Sequence, residues 1–395
     1  MKAVILKKGR EASVLRHHPW VFSGAIEKAV GEPAAGETVR VRAHDGRNLG
    51  IGGYSPDSQI RVRIWSFDGT ERIDTAFFRK RLAMAVEARR STVSRSTGNA
   101  VRLVYGESDG LPGLIVDRYG EYLVCQFLYT GVEFWKATLV EALREVCPCK
   151  GIYERSDVAV RAKEGLAETT GTLYGQTPPE SIEMVENGCV YRVDVCRGHK
   201  TGFYLDQSRN RARVAELAAG RDVLNCFSYS GGFGVAALMG GARFAVNLDA
   251  SRAALELAAV NFALNGYGDE HYENLCGDAF DLLRRLQEDG RRFDMVILDP
   301  PKFADSRRHL VRAARAYKDI ALQGSKLLRP NGLLVNFSCS GAIEPGLFQK
   351  ITADAVLDAG RSGQIIDYLS QAEDHPVALS FPESMYLKGL ICRIT

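Results

Sequence analysis

The sequence predicts an α/β protein in which a parallel sheet flanked by helices follows a small β-barrel and a compact α+β unit. In the first seventy residues, short runs alternate apolar and polar positions between glycine-rich turns, as in the strands of a barrel. In the last two hundred residues, apolar strands alternate with helical stretches, as in a parallel sheet. We expect domains at 1–72, 73–180 and 181–395, with the TPPE stretch at 177–180 as the best linker.

The composition is ordinary for a soluble globular protein, with 46% hydrophobic and 25% charged residues. The start of the chain has only four consecutive apolar residues, Ala3 to Leu6, which is too short for a signal peptide or a membrane span. We therefore expect a cytoplasmic protein without membrane association. Nine cysteines without C-x-x-C spacing indicate free thiols, and the one close pair, Cys147 and Cys149, has no second pair or nearby histidine, so we expect no metal site.

The first hundred residues are basic. Residues 1–70 hold eleven Lys and Arg against seven Asp and Glu, and residues 72–102 hold eight against two. The predicted strands at 37–43 and 60–65 place arginines on their solvent faces. The charge fits either solvated surfaces or a footprint for phosphate groups.

The middle of the chain predicts a compact α+β unit. A helical pattern covers 73–95, and the apolar runs 114–116 and 122–124 predict a hairpin. A helix at 131–146 and a strand near 151–153 complete the unit. A second hairpin is expected at Asn187-Gly188, where the next domain begins.

In the predicted parallel sheet, acidic residues follow the strands. The runs 223–227, 244–248 and 295–298 predict buried strands, and Asp249 ends the second of them, eighteen positions after Gly231. This is where a carboxylate accepts hydrogen bonds from ribose hydroxyls, and Asp278 after the next strand could meet an adenine amine. The alternative for each aspartate is a helix cap.

The glycine loop separates two classes of cofactor. The stretch SGGFG at 230–234 lacks the G-x-G-x-x-G spacing with which backbone amides approach a pyrophosphate. S-adenosylmethionine has no phosphate, so a looser glycine turn is sufficient for it. The sequence therefore favours S-adenosylmethionine over a dinucleotide.

The Asp299-Pro300-Pro301 turn predicts a rigid, carbonyl-rich pocket floor, because two prolines fix the backbone and remove two donors. Such a turn suits a planar base held beside a methyl donor. Enzymes that methylate exocyclic amines usually place an aromatic residue after the prolines, and Lys302 stands there instead. Amine methylation is thereby disfavoured.

Cys339 follows an apolar strand after the Asp-Pro-Pro strand. A thiolate that adds to C6 of cytosine makes C5 nucleophilic enough to accept a methyl group, which is covalent catalysis. A nearby acid that protonates N3 would help the addition, and Asp299 is the candidate. For the other eight cysteines we expect small hydrophobic residues in the core.

Seven ordered blocks resemble the bacterial ribosomal RNA large subunit methyltransferase I family, whose members methylate cytosine C5 in 23S ribosomal RNA. The likeness extends over essentially the whole chain. The blocks are HPWVFSG at 18–24, GESDGLPG at 106–113, RSDVAVR at 155–161, HKTG at 199–202, NCFSY at 225–229, DPPKF at 299–303 and FSCSG at 337–341.

The resemblance implies a PUA RNA-binding barrel, a central α+β domain and a Rossmann-like, class I S-adenosylmethionine-dependent methyltransferase domain. It implies that Cys339 is the nucleophile and that 23S rRNA, naked or partly assembled, is the partner. Either Arg209 or Arg211 would meet the donor carboxylate. The residues implied to bind the donor are Gln207, Asn225, Phe227, Ser228, Tyr229, Gly231, Asp249, Asp278 and Asp299.

The resemblance shifts the interpretation of the basic segments toward an RNA surface. Other readings remain open: methylation of a purine nitrogen or of uridine C5, an inert RNA-binding assembly factor, and, more remotely, a nicotinamide oxidoreductase. The sequence also leaves a homodimer open.

Overall fold

The computed structural model describes residues 2–95, 98–303 and 307–395, without the side chains of 91–95 and 307. The chain folds into two compact units. The first unit contains the residues up to Met184 together with Val193–Leu205 and Glu373–Ser384, and the second contains Val185–Arg192, Asp206–Ala372 and Met385–Thr395. The division into three domains at 72 and 180 stays a prediction.

The first unit opens with a six-stranded sheet in the order β2-β6-β5-β4-β1-β3. Alternate residues of its strands, such as Val39, Val41 and Val62, are fully buried, which is the predicted pattern of a sheet with one face in a core. The strands predicted at 37–43 and 60–65 are confirmed. The elements are β1 (Ala3–Leu6), α1 (Ala12–Leu15), β2 (Trp20–Phe22), β3 (Ile26–Val30), β4 (Thr38–Arg42), β5 (Asn48–Tyr54) and β6 (Ile60–Ser66).

The prediction that the arginines of β6 face solvent is wrong for Arg63. Its side chain is only 8% exposed, and its guanidinium lies 2.8 Å from the carboxylate of Glu164 and 3.7 Å from that of Glu107. A buried guanidinium needs such partners, because an uncompensated charge in the interior is costly. The alternation in the sequence identified the strand but could not show that acidic residues a hundred positions away cover its outer face.

A five-stranded sheet in the order β11-β10-β9-β8-β7 completes the first unit. The predicted helix at 73–95 and both hairpin strands are present, and the helix expected at 131–146 is divided at Trp135. The elements are α2 (Thr75–Arg95), β7 (Ala100–Tyr105), β8 (Leu114–Tyr119), β9 (Tyr122–Phe127), α3 (Thr130–Phe134), α4 (Lys136–Val146), β10 (Gly151–Ser156) and β11 (Thr169–Gly175).

The basic segment at 72–102 exposes fewer of its positive charges than the sequence suggested. Arg89 is 3% exposed and makes two 2.7 Å bonds to Asp109. Arg102 makes two 2.7 Å bonds to Asp117, which is fully buried. These two charges are internal structural pairs, and the side chain of Arg95 lies outside the described residues.

The hairpin predicted at Asn187-Gly188 joins β12 (Ile182–Glu186) to β13 (Cys189–Val193). Its two turn residues have φ angles of 51° and 81°, the left-handed conformation that Asn-Gly favours. The predicted linker at 177–180 lies between β11 and β12 and contains no helix or strand.

The second unit is built on a seven-stranded sheet in the order β16-β15-β14-β17-β18-β20-β19. Every pairing from β16 through β18 is parallel, and β20 runs antiparallel to both of its neighbours. The predicted α/β domain is confirmed. The elements are α5 (Ser208–Leu217), β14 (Asp222–Cys226), α6 (Gly232–Met239), β15 (Phe244–Asp249), α7 (Arg252–Leu264), β16 (Tyr272–Cys276), α8 (Ala279–Glu288), β17 (Phe293–Leu298), α9 (Leu310–Leu327), β18 (Leu328–Ser338), α10 (Pro345–Asp358), β19 (Gly363–Ser370) and β20 (Lys388–Ile394).

The central strands of this sheet are buried on both faces. Leu224 and Val296 face one hydrophobic cluster, while Val223 and Met295 face another. This explains why the strands read as continuous apolar runs in the sequence. Asp249, Asp299 and Cys339 come at or just after the ends of their strands, and parallel strands bring those ends to one edge.

Candidate active site at the carboxyl edge of the parallel sheet

Four parallel strands end next to one another at this edge. Cys226 pairs with Leu248 on one side and with Leu298 on the other, and Leu298 pairs with Asn336. The loop after β14, Asp249, Asp299 and Cys339 therefore follow adjacent strands within a few residues of the paired positions. The structure brings these predicted site residues to one edge of the second unit.

The loop after β14 has an unusual backbone. Phe227 and Tyr229 have φ angles of 59° and 46°, in the left-handed region that non-glycine residues rarely occupy. Such conformations persist where the surrounding structure enforces them, and they cluster at functional sites. Here they turn the chain sharply between β14 and α6, so the predicted residues Phe227, Ser228 and Tyr229 lie in the bend.

The glycines of this loop are explained by packing. Gly231 has a φ angle of 79°, and a Cβ there would lie 3.0 Å from the Cβ of Ala258. A Cβ on Gly234 would lie 2.4 Å from the side-chain oxygen of Asn247. The spacing therefore brings α6 close to the neighbouring strand and helix. A pyrophosphate is not needed to explain these glycines.

Asp249 is fixed by two backbone amides. Its Oδ2 accepts from the Tyr229 N–H at 2.8 Å, and its Oδ1 accepts from the Ser251 N–H at 2.9 Å. Each carboxylate oxygen can accept a second hydrogen bond. The carboxylate is thus held in one orientation at the end of β15, with capacity left for two hydroxyl groups of a ribose.

Asp278 is a helix cap. Its Oδ1 accepts from the Phe280 N–H at 2.8 Å and from the Asp281 N–H at 3.4 Å, at the start of α8. This is the alternative that the sequence left open, and it leaves Oδ2 of the exposed side chain available. Contact with an adenine amine stays a prediction.

Amide side chains form a row beneath the edge. Asn225 donates from Nδ2 to Asn247 Oδ1, which is 3.1 Å away, and Asn247 donates in the same way to Asn274. Within the described ranges, Asn225 Oδ1 and the hydroxyl oxygens of Ser228 and Ser230 are buried without a hydrogen-bond partner. Unmet buried polar atoms are costly, so a group of them beside a strained loop fits a site that a polar cofactor completes.

Asp299 is held by Gln207, which the sequence could not show. Gln207 is 2% exposed and donates from Nε2 to Asp299 Oδ2 at 2.9 Å. Its own Oε1 accepts from Asn210 Nδ2 at 2.5 Å. The amide is thereby fixed between two polar partners, and it orients the half-buried carboxylate after β17.

The two candidate arginines differ in their surroundings. Arg211 is 3% exposed and binds both oxygens of Glu186, at 2.6 and 2.8 Å. Arg209 lies on the same helix, and its side chain is exposed. The guanidinium of Arg211 is therefore held in a structural ion pair within the second unit.

Cys339 is half-buried, directly after β18. The serines on both sides are fully buried, and the Ser340 hydroxyl lies 3.0 Å from the Tyr317 hydroxyl. The Ser340 carbonyl accepts a 2.7 Å hydrogen bond from the ammonium of Lys388, a residue that the sequence analysis missed. The neighbours of the cysteine are thus anchored and buried, while the cysteine itself is only half-buried.

The other cysteines mostly behave as expected of core residues. Burial raises the pKa of Cys226, and it raises that of Cys392 to about 11, so both remain protonated thiols. The core interpretation is wrong for Cys276, which is exposed at the end of β16.

The described residues contain no cluster of three or more His, Cys, Asp and Glu side chains that could bind a metal ion. None of the described helices is long and apolar enough to cross a membrane.

Comparisons with known proteins identify the family and the fold. A family model for S-adenosylmethionine-dependent methyltransferases matches residues 162–378, and a model for PUA-like domains matches residues 4–67. A solved structure from Streptococcus mutans, provisionally described as a SAM-dependent methyltransferase, has a TM-score of 0.87 and 24% identity over 100% of both chains. The predicted fold class, with its PUA-like and methyltransferase domains, is confirmed, and S-adenosylmethionine is the cofactor.

Two relatives match along almost their full length. Ribosomal RNA large subunit methyltransferase I of Aeromonas salmonicida (strain A449) is 51% identical over 390 residues, which cover 99% of this chain and 98% of the relative. The protein of the same name from Tolumonas auensis (strain DSM 9187 / NBRC 110442 / TA 4) is 52% identical over 391 residues, with 99% and 98% covered. The chain therefore belongs to the ribosomal RNA large subunit methyltransferase I family of S-adenosylmethionine-dependent methyltransferases.

Proposed function

We propose that this chain transfers the methyl group of S-adenosylmethionine to C5 of a cytosine in 23S ribosomal RNA, with Cys339 as the covalent nucleophile. The observation that carries the proposal is the position of Cys339. This half-buried residue follows the strand adjacent to the one that Asp299 follows, at the edge where Asp249 is held by two amides. The names of the relatives support large-subunit ribosomal RNA as the substrate. The proposal takes this RNA to be naked or partly assembled and the reaction to occur in the cytoplasm.

The chemistry requires a nucleophile because C5 of cytosine is unreactive. The Cys339 thiolate forms a bond to C6, and the ring electrons move toward C5, which then forms a bond to the methyl group. The methyl–sulfur bond breaks, and S-adenosylhomocysteine leaves. Loss of the C5 proton to a base then breaks the C6–sulfur bond and restores the thiolate. S-adenosylmethionine supplies the electrophilic methyl group.

The remaining site residues have supporting roles in the proposal. Asp249 accepts hydrogen bonds from the ribose, and Asp278 accepts one from the adenine amine through the oxygen that its cap leaves available. Asn225, together with the loop from Phe227 through Ser228 and Tyr229 to Gly231, lines the donor site. A protonated Asp299, oriented by Gln207, donates to N3 of the base during addition.

The donor carboxylate is proposed to bind Arg209. The alternative, Arg211, already places two nitrogens on Glu186 in a buried pair, and that pair would have to break. Arg209 lies on the same helix and is exposed, so its charge is already solvated.

The nucleophile is tested with Cys339→Ala. We expect this variant to lose methyl transfer while it still binds S-adenosylmethionine in equilibrium dialysis. RNA that contains 5-fluorocytidine should trap a covalent adduct with the unmodified protein, because fluorine cannot leave as a proton, and Cys339→Ala should form none. Cys276→Ala is the matched control, since it removes an exposed thiol that follows a different strand.

Nucleoside analysis of the product separates the proposed activity from its alternatives. The methylated residue should be 5-methylcytidine, and bisulfite sequencing of ribosomal RNA from cells with and without the gene should reveal its position. A methylated purine or 5-methyluridine would contradict the cytosine assignment. A protein that binds no S-adenosylmethionine would instead be an RNA-binding assembly factor.

A further inference from the structure

Lys388 is a buried lysine at the edge where the site residues lie. It is the first residue of β20, is 7% exposed, and pairs with Ser338 of β18 and Ser370 of β19. The rest of the strand is largely apolar and buried. Burial of an ammonium group is costly unless something compensates the charge, so this position requires an explanation.

The ammonium of Lys388 is hydrogen-bonded to the backbone beside the nucleophile. Nζ donates to the Ser340 carbonyl at 2.7 Å, and the Lys388 backbone lies opposite Ser338. The lysine thus contacts the residue after Cys339 and pairs with the residue before it. Among the residues that the structure describes, Lys388 forms no ion pair with a carboxylate. A carbonyl dipole alone is weak compensation for a full charge.

Among the residues that the structure describes, Cys339 and Lys302 are the ionisable groups that act on Lys388. Burial lowers the pKa of Lys388 to about 8, Lys302 lowers it as well, and a charged Cys339 acts in the opposite direction. Tyr317 also faces this group: its hydroxyl lies 3.0 Å from that of Ser340, and burial raises its pKa, as does a charged Cys339. The interaction between two groups is reciprocal, so whatever a thiolate adds to the stability of the ammonium, the ammonium adds to the stability of the thiolate.

We propose that Lys388 is a positioning residue that holds a positive charge beside the Cys339 sulfur, with its ammonium anchored on the Ser340 carbonyl, and so maintains the nucleophile as a thiolate near neutral pH. The inference deepens the proposed function, because it rests on Cys339 being the nucleophile. An ordinary thiol is only a few per cent ionised at about pH 7, so a neighbouring cation raises the reactive fraction directly.

The test measures the ionisation of the Cys339 thiol in the whole protein without RNA. The rate of iodoacetamide alkylation at Cys339 is followed against pH by peptide mass spectrometry for the unmodified chain, Lys388→Gln and Lys388→Arg. Gln can still donate to the Ser340 carbonyl but carries no charge, whereas Arg keeps the charge. We expect Lys388→Gln to slow alkylation at pH 7 about tenfold, with an unchanged rate at high pH, and Lys388→Arg to stay close to the unmodified chain.

Alkylation of Cys276 in the same samples is the internal control, and it should be equal in all three proteins. Equal Cys339 titration curves for Lys388→Gln and the unmodified chain would overturn the proposal. Equal shifts of the Cys339 curve in Lys388→Gln and Lys388→Arg would overturn it too, because the effect would then come from altered packing and not from charge. If Lys388→Gln does not fold, the proposal is tested on the unmodified chain alone. The pKa of its Cys339 thiol, measured by alkylation, must then lie below about 8.5, the value of a free thiol. If Cys339→Ala still transferred methyl groups, Cys339 would not be the nucleophile and the proposed function would be refuted. The alkylation results on the pairing of Lys388 with Cys339 would still stand.

Discussion

At the scale of single residues, Gly231 is required for two separate reasons, its backbone conformation and its close packing. Its φ angle of 79° disfavours any side chain, and a Cβ would also meet Ala258 at 3.0 Å and Phe262 at 3.3 Å. Gly266 has a φ angle of 81° with open space around it. The pair therefore separates the cost of the backbone conformation from the cost of crowding.

We predict that Gly266→Ala lowers the free energy of unfolding by about 1 kcal/mol, the cost of a left-handed alanine. Gly231→Ala should lose about 1 to 3 kcal/mol more through overpacking. Only Gly231→Ala should weaken S-adenosylmethionine binding, because only this glycine adjoins the loop of the site. Urea denaturation and equilibrium dialysis measure the two effects. Equal losses of stability in both variants would mean that the neighbouring helix adjusts without cost.

The sequence predicted those site residues that are marked by a pattern in the adjacent sequence. Asp249 and Cys339 each follow an apolar run, so the end of a strand could be located before the structure was known. The contact of Gln207 with Asp299 joins positions 92 residues apart, and that of Lys388 with Ser340 joins positions 48 apart. No periodicity encodes such contacts, since they depend on the order of strands in the sheet.

At the scale of elements, the pairing of β7 with β8 is locked by a buried ion pair. Arg102 lies opposite Asp117 in the register and binds both of its oxygens at 2.7 Å. The Thr201 hydroxyl donates to the same carboxylate at 2.5 Å and lies 3.2 Å from the Tyr119 hydroxyl. One of the sequence blocks that suggested the family, HKTG at 199–202, thus has a structural use in the first unit.

We predict that Asp117→Asn lowers the free energy of unfolding by about 3 to 5 kcal/mol, because it removes the carboxylate that binds the buried Arg102 guanidinium with two hydrogen bonds. Glu87→Gln is the control, since Glu87 pairs with Arg90 on the exposed face of α2, and it should change stability by less than about 0.5 kcal/mol. Denaturant unfolding of both variants provides the comparison. A change of less than about 1 kcal/mol for Asp117→Asn would show that the arginine finds another partner.

Helix α2 shows that net charge does not predict which arginines are exposed. The helical pattern correctly located α2, but the net charge of the segment could not distinguish Arg89, which pairs internally, from Arg90, which is exposed. The distinction depends on which helix face meets the sheet. That face was visible only as an apolar stripe, and Arg89, seven positions after Leu82 and three after Val86, continues the stripe.

At the scale of the whole molecule, the reversal of one strand completes the site of the second unit. Because β20 runs against β18, its first residue lies where β18 ends. A seventh parallel strand would have placed its first residue at the opposite edge. The antiparallel strand therefore places Lys388 at the end of β18, next to Cys339. The following residue is Gly389, where a Cβ would lie 2.6 Å from the ring of Phe337.

The first unit offers a different kind of basic surface from the one that composition suggested. Lys8, Arg10 and Arg16 are exposed around α1 of the PUA-like domain, and within the described ranges none of them forms an ion pair. Three exposed arginines of the segment 72–90 are paired: Arg72 with Asp74, Arg79 with Glu145 and Arg90 with Glu87. Uncompensated cations attract phosphates more strongly than paired ones, so the first set is the better candidate for RNA contact.

We predict that replacement of Lys8, Arg10 and Arg16 by alanine weakens binding to a 23S rRNA fragment, and that the slope of log affinity against log salt falls by about 0.7 to 0.9 for each phosphate that the protein no longer neutralises. Fluorescence anisotropy at several salt concentrations measures both quantities. The matched control replaces Arg72, Arg79 and Arg90, which removes the same charge but should leave the slope nearly unchanged, because those cations are already neutralised. If the control weakens binding and the first triple variant does not, the RNA lies along α2, and the ion pairs there must open when it binds.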